Sequence, residues 1–262
     1  MKRLKVWLGG GLLILALAPG SASAMGIEVA VGAWNQTPSG DVSYKATGGQ
    51  DNLSIKDDLK YSDETKVFGR IKIETPLLFP NIYLMATPMK FSETGSKNTS
   101  FRFGDVTYAA NVPFTSELRL DHYDVGFYYG LPALKTVTAG ILNVDLGIGA
   151  RIFDFKTYVT GQDSVSGATI TDSKSLVTAT PMGYLGFQVK PVKWLAAEGE
   201  ARGIIYDGDN HYYDLIGRVK LKPFGPLFAA AGYRYEKVRF DRFDVKADAS
   251  FGGPFGEIGV EF

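Results

Sequence analysis

Two histidines, His122 and His211, are the only side chains in this 262-residue sequence whose ordinary pKa suits proton transfer near neutral pH. His122 lies in Asp121-His122-Tyr123-Asp124, where a neighbouring carboxylate could orient the imidazole as a general base for hydrolysing lipid or peptide. That chemistry also needs a nucleophile or water within hydrogen-bond reach, and the sequence designates none. A surface hydrolase using His122 therefore stands only as a minor reading. His211 closes Asp207-Gly208-Asp209-Asn210-His211. These oxygens could hold calcium, but the spaced ligands and downstream Glu of an EF-hand loop are missing. Asp, Gly and Asn are also what a tight hairpin needs, so a turn is the better expectation. There is no cysteine, which removes thiolate zinc sites, cysteine nucleophiles and disulfides. We expect no enzyme, no metal and no cofactor.

A larger set of polar residues recurs at every second position within apolar segments. It comprises Glu28, Arg70, Lys72, Glu74, His122, Asp124, Asp145, Arg151, Glu198, Glu200, Arg202, Asp214, Arg218, Lys220, Arg234 and Glu236. Side chains of a strand alternate between faces, so these residues share one surface while Val, Ile, Leu and aromatic residues take the other. Charges in a narrow interior are costly unless paired, and both signs are present, which suggests a neutralised, largely filled lumen. A lining of one sign would have suggested ion selectivity. A narrow channel or carrier for a small solute is the alternative.

The elements that would position this set are strands. Period-two alternation recurs over 26–35, 66–75, 81–91, 119–130, 142–154, 176–190, 194–206, 211–222, 228–240 and 245–262, and no segment after the first 24 residues keeps a helical period over three turns. Segment 81–91 is apolar on both sides, so its facing is ambiguous. In the last segment Ile258, Val260 and Phe262 oppose Glu257 and Glu261, and the parity slips near Gly252-Gly253-Pro254, where a bulge is expected. Most of these segments match the roughly 9 to 11 residues a tilted transmembrane strand requires. In hydrocarbon an unpaired backbone group costs several kcal/mol, so the sheet must close on itself. The expected fold is all-β, a transmembrane antiparallel up-and-down barrel of about ten strands with both termini periplasmic.

Short connections at 77–80, 132–139, 191–193 and 223–226 then face the periplasm, and polar loops at 37–65, 92–118 and 158–175 face outward, with a small hairpin at 101–109. A soluble sandwich shares the alternation. The features that favour a barrel are the loop rhythm, the terminal Phe262 and the leader. In the leader, Lys2, Arg3 and Lys5 precede an apolar run and Ala22-Ser23-Ala24, the pattern of a secretory signal cleaved after residue 24. No Cys follows it, which excludes lipoprotein acylation. Residues 25–262 read as one domain. Bases and acids number 28 each, and without the leader the balance is 25 to 28, which argues against nucleic acid. Tyr128, Tyr129, Trp194, Tyr233, Tyr235 and Phe262 are expected to be interface aromatics, some lipid-facing and some, Tyr128 among them, inward.

From Leu120-Asp121-His122-Tyr123-Asp124 through Phe127-Tyr128-Tyr129 to Val144-Asp145-Leu146-Gly147, and in Ala247-Asp248-Ala249-Ser250-Phe251-Gly252-Gly253-Pro254-Phe255, the chain resembles a family of small Gram-negative outer-membrane β-barrel proteins without an assigned activity. The resemblance implies an outer-membrane location and insertion by the barrel-assembly machinery, with Phe262 as part of the assembly signal. Its partners would be outer-membrane lipid and lipopolysaccharide. It implies no catalytic residue.

Overall fold

Alternating sequence becomes a continuous ladder in which nearly every strand finds its chain neighbour. The computed structural model describes residues 25–76, 79–207, 210–242 and 244–262. The leader at 1–24 lies outside the described residues, as do Leu77 and Leu78 of one predicted turn and Gly208 and Asp209 of another. The strands are β1 (Gly26–Tyr44), β2 (Leu53–Ser54), β3 (Glu64–Glu74), β4 (Asn81–Thr87), β5 (Lys90–Gly95), β6 (Phe101–Phe103), β7 (Val106–Tyr108), β8 (Phe114–Gly130), β9 (Leu142–Gln162), β10 (Thr169–Val192), β11 (Leu195–Asp207), β12 (Asn210–Phe224), β13 (Leu227–Arg242) and β14 (Val245–Glu261). A short helix, α1 (Pro132–Val137), fills the connection between β8 and β9.

The ladder runs β1, β3, β4, then β8 through β14 in order, and β14 pairs back onto β1 from Glu28↔Glu261 to Tyr44↔Val245. It is a closed antiparallel barrel of ten staves. Phe262 finishes the seam: its N–H donates to Ile27 O at 2.9 Å, and Ile27 N–H donates back at 3.3 Å. Outside, Val31, Val67, Phe127, Ile148, Phe187, Leu215, Val219 and Ile258 are exposed around the circumference. An apolar band on a closed barrel is a surface for lipid, not water. Tyr129, Trp194, Tyr233 and Phe262 belong to that outer surface, whereas Tyr128 turns inward and is buried.

Four expectations change. The stave at 81–91 is split by Pro88 into β4 and β5, and Met89 N–H donates to the Asp121 carboxylate at 2.9 Å where ladder geometry breaks. Its facing is settled, with Tyr83, Met85 and Thr87 inward and buried. No bulge interrupts Gly252-Gly253-Pro254: the pairing with β13 steps evenly from Phe251↔Glu236 to Gly256↔Ala231. The parity looks shifted in sequence because Phe251 and Phe255, both apolar, face inward. Gly253 is required by close approach, since a Cβ there would lie 1.8 Å from Asn35 O. Third, predicted loops at 37–65, 92–118 and 158–175 are partly strand, because β1 reaches Tyr44, β8 begins at Phe114, and the β9–β10 hairpin extends to Gln162 and Thr169. Fourth, the turn at 191–193 shifts, because β10 continues through Val192. The small hairpin is present as β6–β7.

Candidate functional site

The barrel interior is the site with the most concentrated chemistry, and strand register builds it. Asp124 faces Arg151 across β8–β9, Arg202 faces Asp214 across β11–β12, and Asp214 faces Glu236 across β12–β13. The first two registrations set opposite charges side by side, while the third sets two carboxylates together, which Arg151 and Arg234 bridge. Asp214 is the hub: its Oδ2 accepts from Arg151 Nη2 at 2.7 Å, Arg202 Nη2 at 2.9 Å and Arg234 Nη2 at 2.7 Å. Arg151 also forks onto Asp124, Nε to Oδ1 at 2.6 Å and Nη2 to Oδ2 at 2.8 Å, and Arg202 Nη1 donates to the same carboxylate at 2.9 Å. Glu236 lies 3.2 Å from both Arg151 and Arg234. Three guanidiniums therefore face three carboxylates, all buried. Bidentate, charge-assisted geometry is what allows such groups to leave water.

A second cluster lies on the side of the strand ends near Phe262. Arg70 joins Glu28 at 2.5 Å and Glu257 at 2.8 Å, Lys72 joins Glu200 at 2.8 Å, and Arg218 joins Glu198 and Glu200 at 2.6 Å. Lys220 bridges Glu28 and Glu261 at 2.6 Å, and Lys222 reaches Glu261 at 2.9 Å. Five cations again meet five carboxylates. Tyr83 couples the two clusters, accepting from Arg202 at 2.8 Å and donating to Glu200 at 3.1 Å. Several of these pairs span the lumen: Lys72 of β3 meets β11, and Arg151 of β9 meets β12. Aromatic faces back the cations, with Arg234 4.4 Å from the Trp34 ring centre and Lys220 4.3 Å from that of Phe228.

His122 sits inside the first cluster, fully buried. Its Nε2 is 3.1 Å from Arg234 Nη2 and 3.4 Å from Glu236 Oε2, and its Nδ1 is 3.3 Å from Leu120 O. What the imidazole contacts is a guanidinium and a carboxylate, and the hydroxyl of its cross-strand neighbour Thr87 is engaged by Arg234 Nη1 at 3.0 Å. Candidate ligand atoms of His122, Asp214 and Glu236 lie within 4.8 Å of one another. Arg151 and Arg234 already occupy those acceptors, so the charge a cation would supply is present as protein.

Two of the predicted inward residues stand apart. Glu74 is exposed, and Asp145 is held by Asn143 Nδ2 at 2.8 Å. Both line a polar vestibule of about 220 Å³ with Lys72, Tyr128 and Gln188. Conversely, Glu257, Glu261, Tyr83 and Trp34 join the network or back it without belonging to the predicted set. Alternation opposite Ile258 and Val260 already places the two glutamates inward, whereas Tyr83 was hidden by a segment apolar on both faces.

Beyond the first cluster, toward the β9–β10 hairpin, the interior turns aromatic. Phe91 stacks on Phe251 with centroids 5.6 Å apart, Phe101 on Tyr108 at 5.3 Å, and Phe101 packs against Phe114 at 4.9 Å. The β1–β3 connection folds over this layer and buries Leu53, Ile55, Leu59 and Tyr61. Asp51 pins this cap by accepting from Thr47 N–H, Gly48 N–H and Arg102 N–H at 2.7, 3.1 and 2.7 Å. Burial pushes its carboxyl up, but these donors and the Thr47 hydroxyl outweigh it and hold it below the usual range.

No family model and no curated protein matches the chain, so the family resemblance carried by the closing strand gains no support there. Similar solved structures include the translocator domain of the autotransporter NalP from Neisseria meningitidis, at 11% identity over 93% of this chain and 89% of that one, with a TM-score of 0.46. Another is Ail, the attachment invasion locus protein of Yersinia pestis, at 8% identity, 90% and 98% coverage and a TM-score of 0.32. A third is the P. putida toluene transporter TodX, at 7% identity, 92% and 90% coverage and a TM-score of 0.31. None of these likenesses assigns a ligand or an activity to this chain.

Proposed function

We propose that this chain is a non-enzymatic integral protein of a Gram-negative outer membrane whose sealed barrel carries an ordered cap for structural or surface contacts. The observation that carries this reading is the charge-balanced network spanning the lumen between Arg151, Asp214, Lys72 and Glu200. A conducting path would have to part ion pairs held in a narrow, buried interior, and a buried ion left without its partner costs several kcal/mol. In this reading the leader at 1–24 is removed, both termini face the periplasm, lipid and lipopolysaccharide surround the apolar band, and the assembly machinery reads Phe262. The cap, built on Asp51 and the β6–β7 hairpin, is then the face offered to the outside.

Liposome swelling tests this reading. Vesicles carrying the refolded chain are expected to shrink and stay shrunken in arabinose, like protein-free vesicles. Re-swelling with arabinose would overturn the sealed lumen and favour the narrow channel or carrier.

A further inference from the structure

Two carboxylates at the mouth of the lumen lack the counter-charge that the rest of the interior supplies. At the end near Phe262, Glu28, Glu198, Glu200, Glu257 and Glu261 each have an arginine or lysine within ion-pair distance. Asp145 and Glu74, on the wall of the polar vestibule, have none among the described residues. Strand register is the cause. Asp145 lies opposite Gly130 on β8 and Gly186 on β10, and Glu74 lies opposite Gly26 on β1, so no side chain at these cross-strand positions can bring a charge. The one donor that reaches Asp145 is Asn143 Nδ2, onto Oδ1 at 2.8 Å.

The same glycines keep a gap open beside the carboxylates. A Cβ at Gly186 would sit 3.2 Å from Asp145 Oδ2 and 2.9 Å from Tyr184 Oη, and one at Gly130 would sit 3.2 Å from Asp145 Oδ1. Glycine inside a strand weakens it and marks a place where another group approaches closely. Tyr184 points to the same gap. It is 4% exposed, its ring leans along β10 over Gly186, and its hydroxyl has no hydrogen-bond partner. A buried hydroxyl left unpaired is costly, and a polar ligand in the gap would satisfy it. The missing partner is a cation, but not a metal ion, which needs several donor atoms drawn together. Among the described residues three such donors converge within 4.8 Å only at His122, Asp214 and Glu236. A space of about 220 Å³ suits a compact organic cation. Lys135 of α1 and Lys190 near the end of β10 stand at the rim with no carboxylate within ion-pair distance among the described residues, so a second positive charge on the ligand is repelled.

We propose that the vestibule binds a small polar molecule through one primary ammonium group, whose three N–H donors match the open acceptors of Asp145, Glu74 and Tyr184. The site lies at the mouth of the barrel, and binding there requires neither a sealed nor a conducting lumen.

Saturation-transfer NMR on the refolded chain without its leader, in phosphatidylcholine nanodiscs with empty nanodiscs as the blank, tests this with ethanolamine, its uncharged analogue ethylene glycol and the diamine putrescine. We expect saturable transfer to ethanolamine, none to ethylene glycol, and no tighter binding of putrescine. Asp145→Asn and Glu74→Gln keep the shape of each side chain while removing its charge. With folding checked by heat-modified electrophoretic mobility, each should weaken ethanolamine binding about tenfold. Tyr184→Phe removes one hydroxyl and should weaken it about threefold. Transfer to ethanolamine that is absent, that ethylene glycol matches, or that is equal in wild type and the folded Asp145→Asn and Glu74→Gln variants would overturn the site. Much tighter binding of putrescine than of ethanolamine would overturn the single charge.

Discussion

The two halves of the barrel interior solve the same packing problem with opposite chemistry. Around Asp214 and Arg218 the lumen is filled by paired charges, each oriented by specific partners of opposite sign. Around Phe91 and Phe251 it is filled by stacked rings that need shape but no counter-charge. The difference teaches that charge fixes which strands must meet across the lumen, while aromatic packing closes the top and leaves room for a cavity. Losing one charge leaves others unbalanced, whereas losing one ring leaves only a hole.

The largest expected effect follows from that asymmetry. Asp214→Ala strips the shared acceptor from three buried guanidiniums and should destabilise the barrel by about 3–5 kcal/mol in reversible urea unfolding from vesicles. Removing Arg151 as well restores the balance, so the double variant Arg151→Ala/Asp214→Ala should be more stable than Asp214→Ala by about 1 kcal/mol or more. A double variant that simply sums the two losses would break the charge half of the comparison. In the aromatic half, Phe251→Ala should cost about 3 kcal/mol by the same measurement, with no second-site rescue through charge.

Next comes Gly253→Ala, where the new methyl meets the Asn35 carbonyl and the seam between β1 and β14 must open, at about 1–3 kcal/mol. Smaller still is the cap. Because the Asp51 carboxyl is held below its unfolded value, its contribution is present above the ordinary range near 4 and is lost as pH falls through the depressed folded value. Protease cleavage within residues 45–63 should therefore accelerate below about pH 4, and Asp51→Ala should give that acceleration at neutral pH without changing the urea midpoint of the barrel.

Much of this architecture was legible because period two is hard to imitate. Val144 to Ile152 against Asn143 to Arg151 fixed the facing of β9, and the same argument placed Asp124, Arg202 and Arg234 inward. Partner choice was not legible. Nothing local says that Lys72 meets Glu200, since that depends on the barrel's girth and on strand stagger. The aromatic half misled the reading for a physical reason: an inward Phe251 or Phe255 looks like a lipid-facing residue, so correct parity appeared as a slip. The cap was missed because its buried Leu53, Ile55 and Leu59 are separated by polar residues and follow no strand or helix period. Pro181, which has no N–H to donate, lies outside the β10–β11 ladder.

Planar-bilayer recording of the refolded chain tests the central claim most directly. The paired lumen predicts a flat current at moderate voltage for the wild type, indistinguishable from a protein-free membrane. Reproducible single-channel steps from the wild-type protein would contradict it.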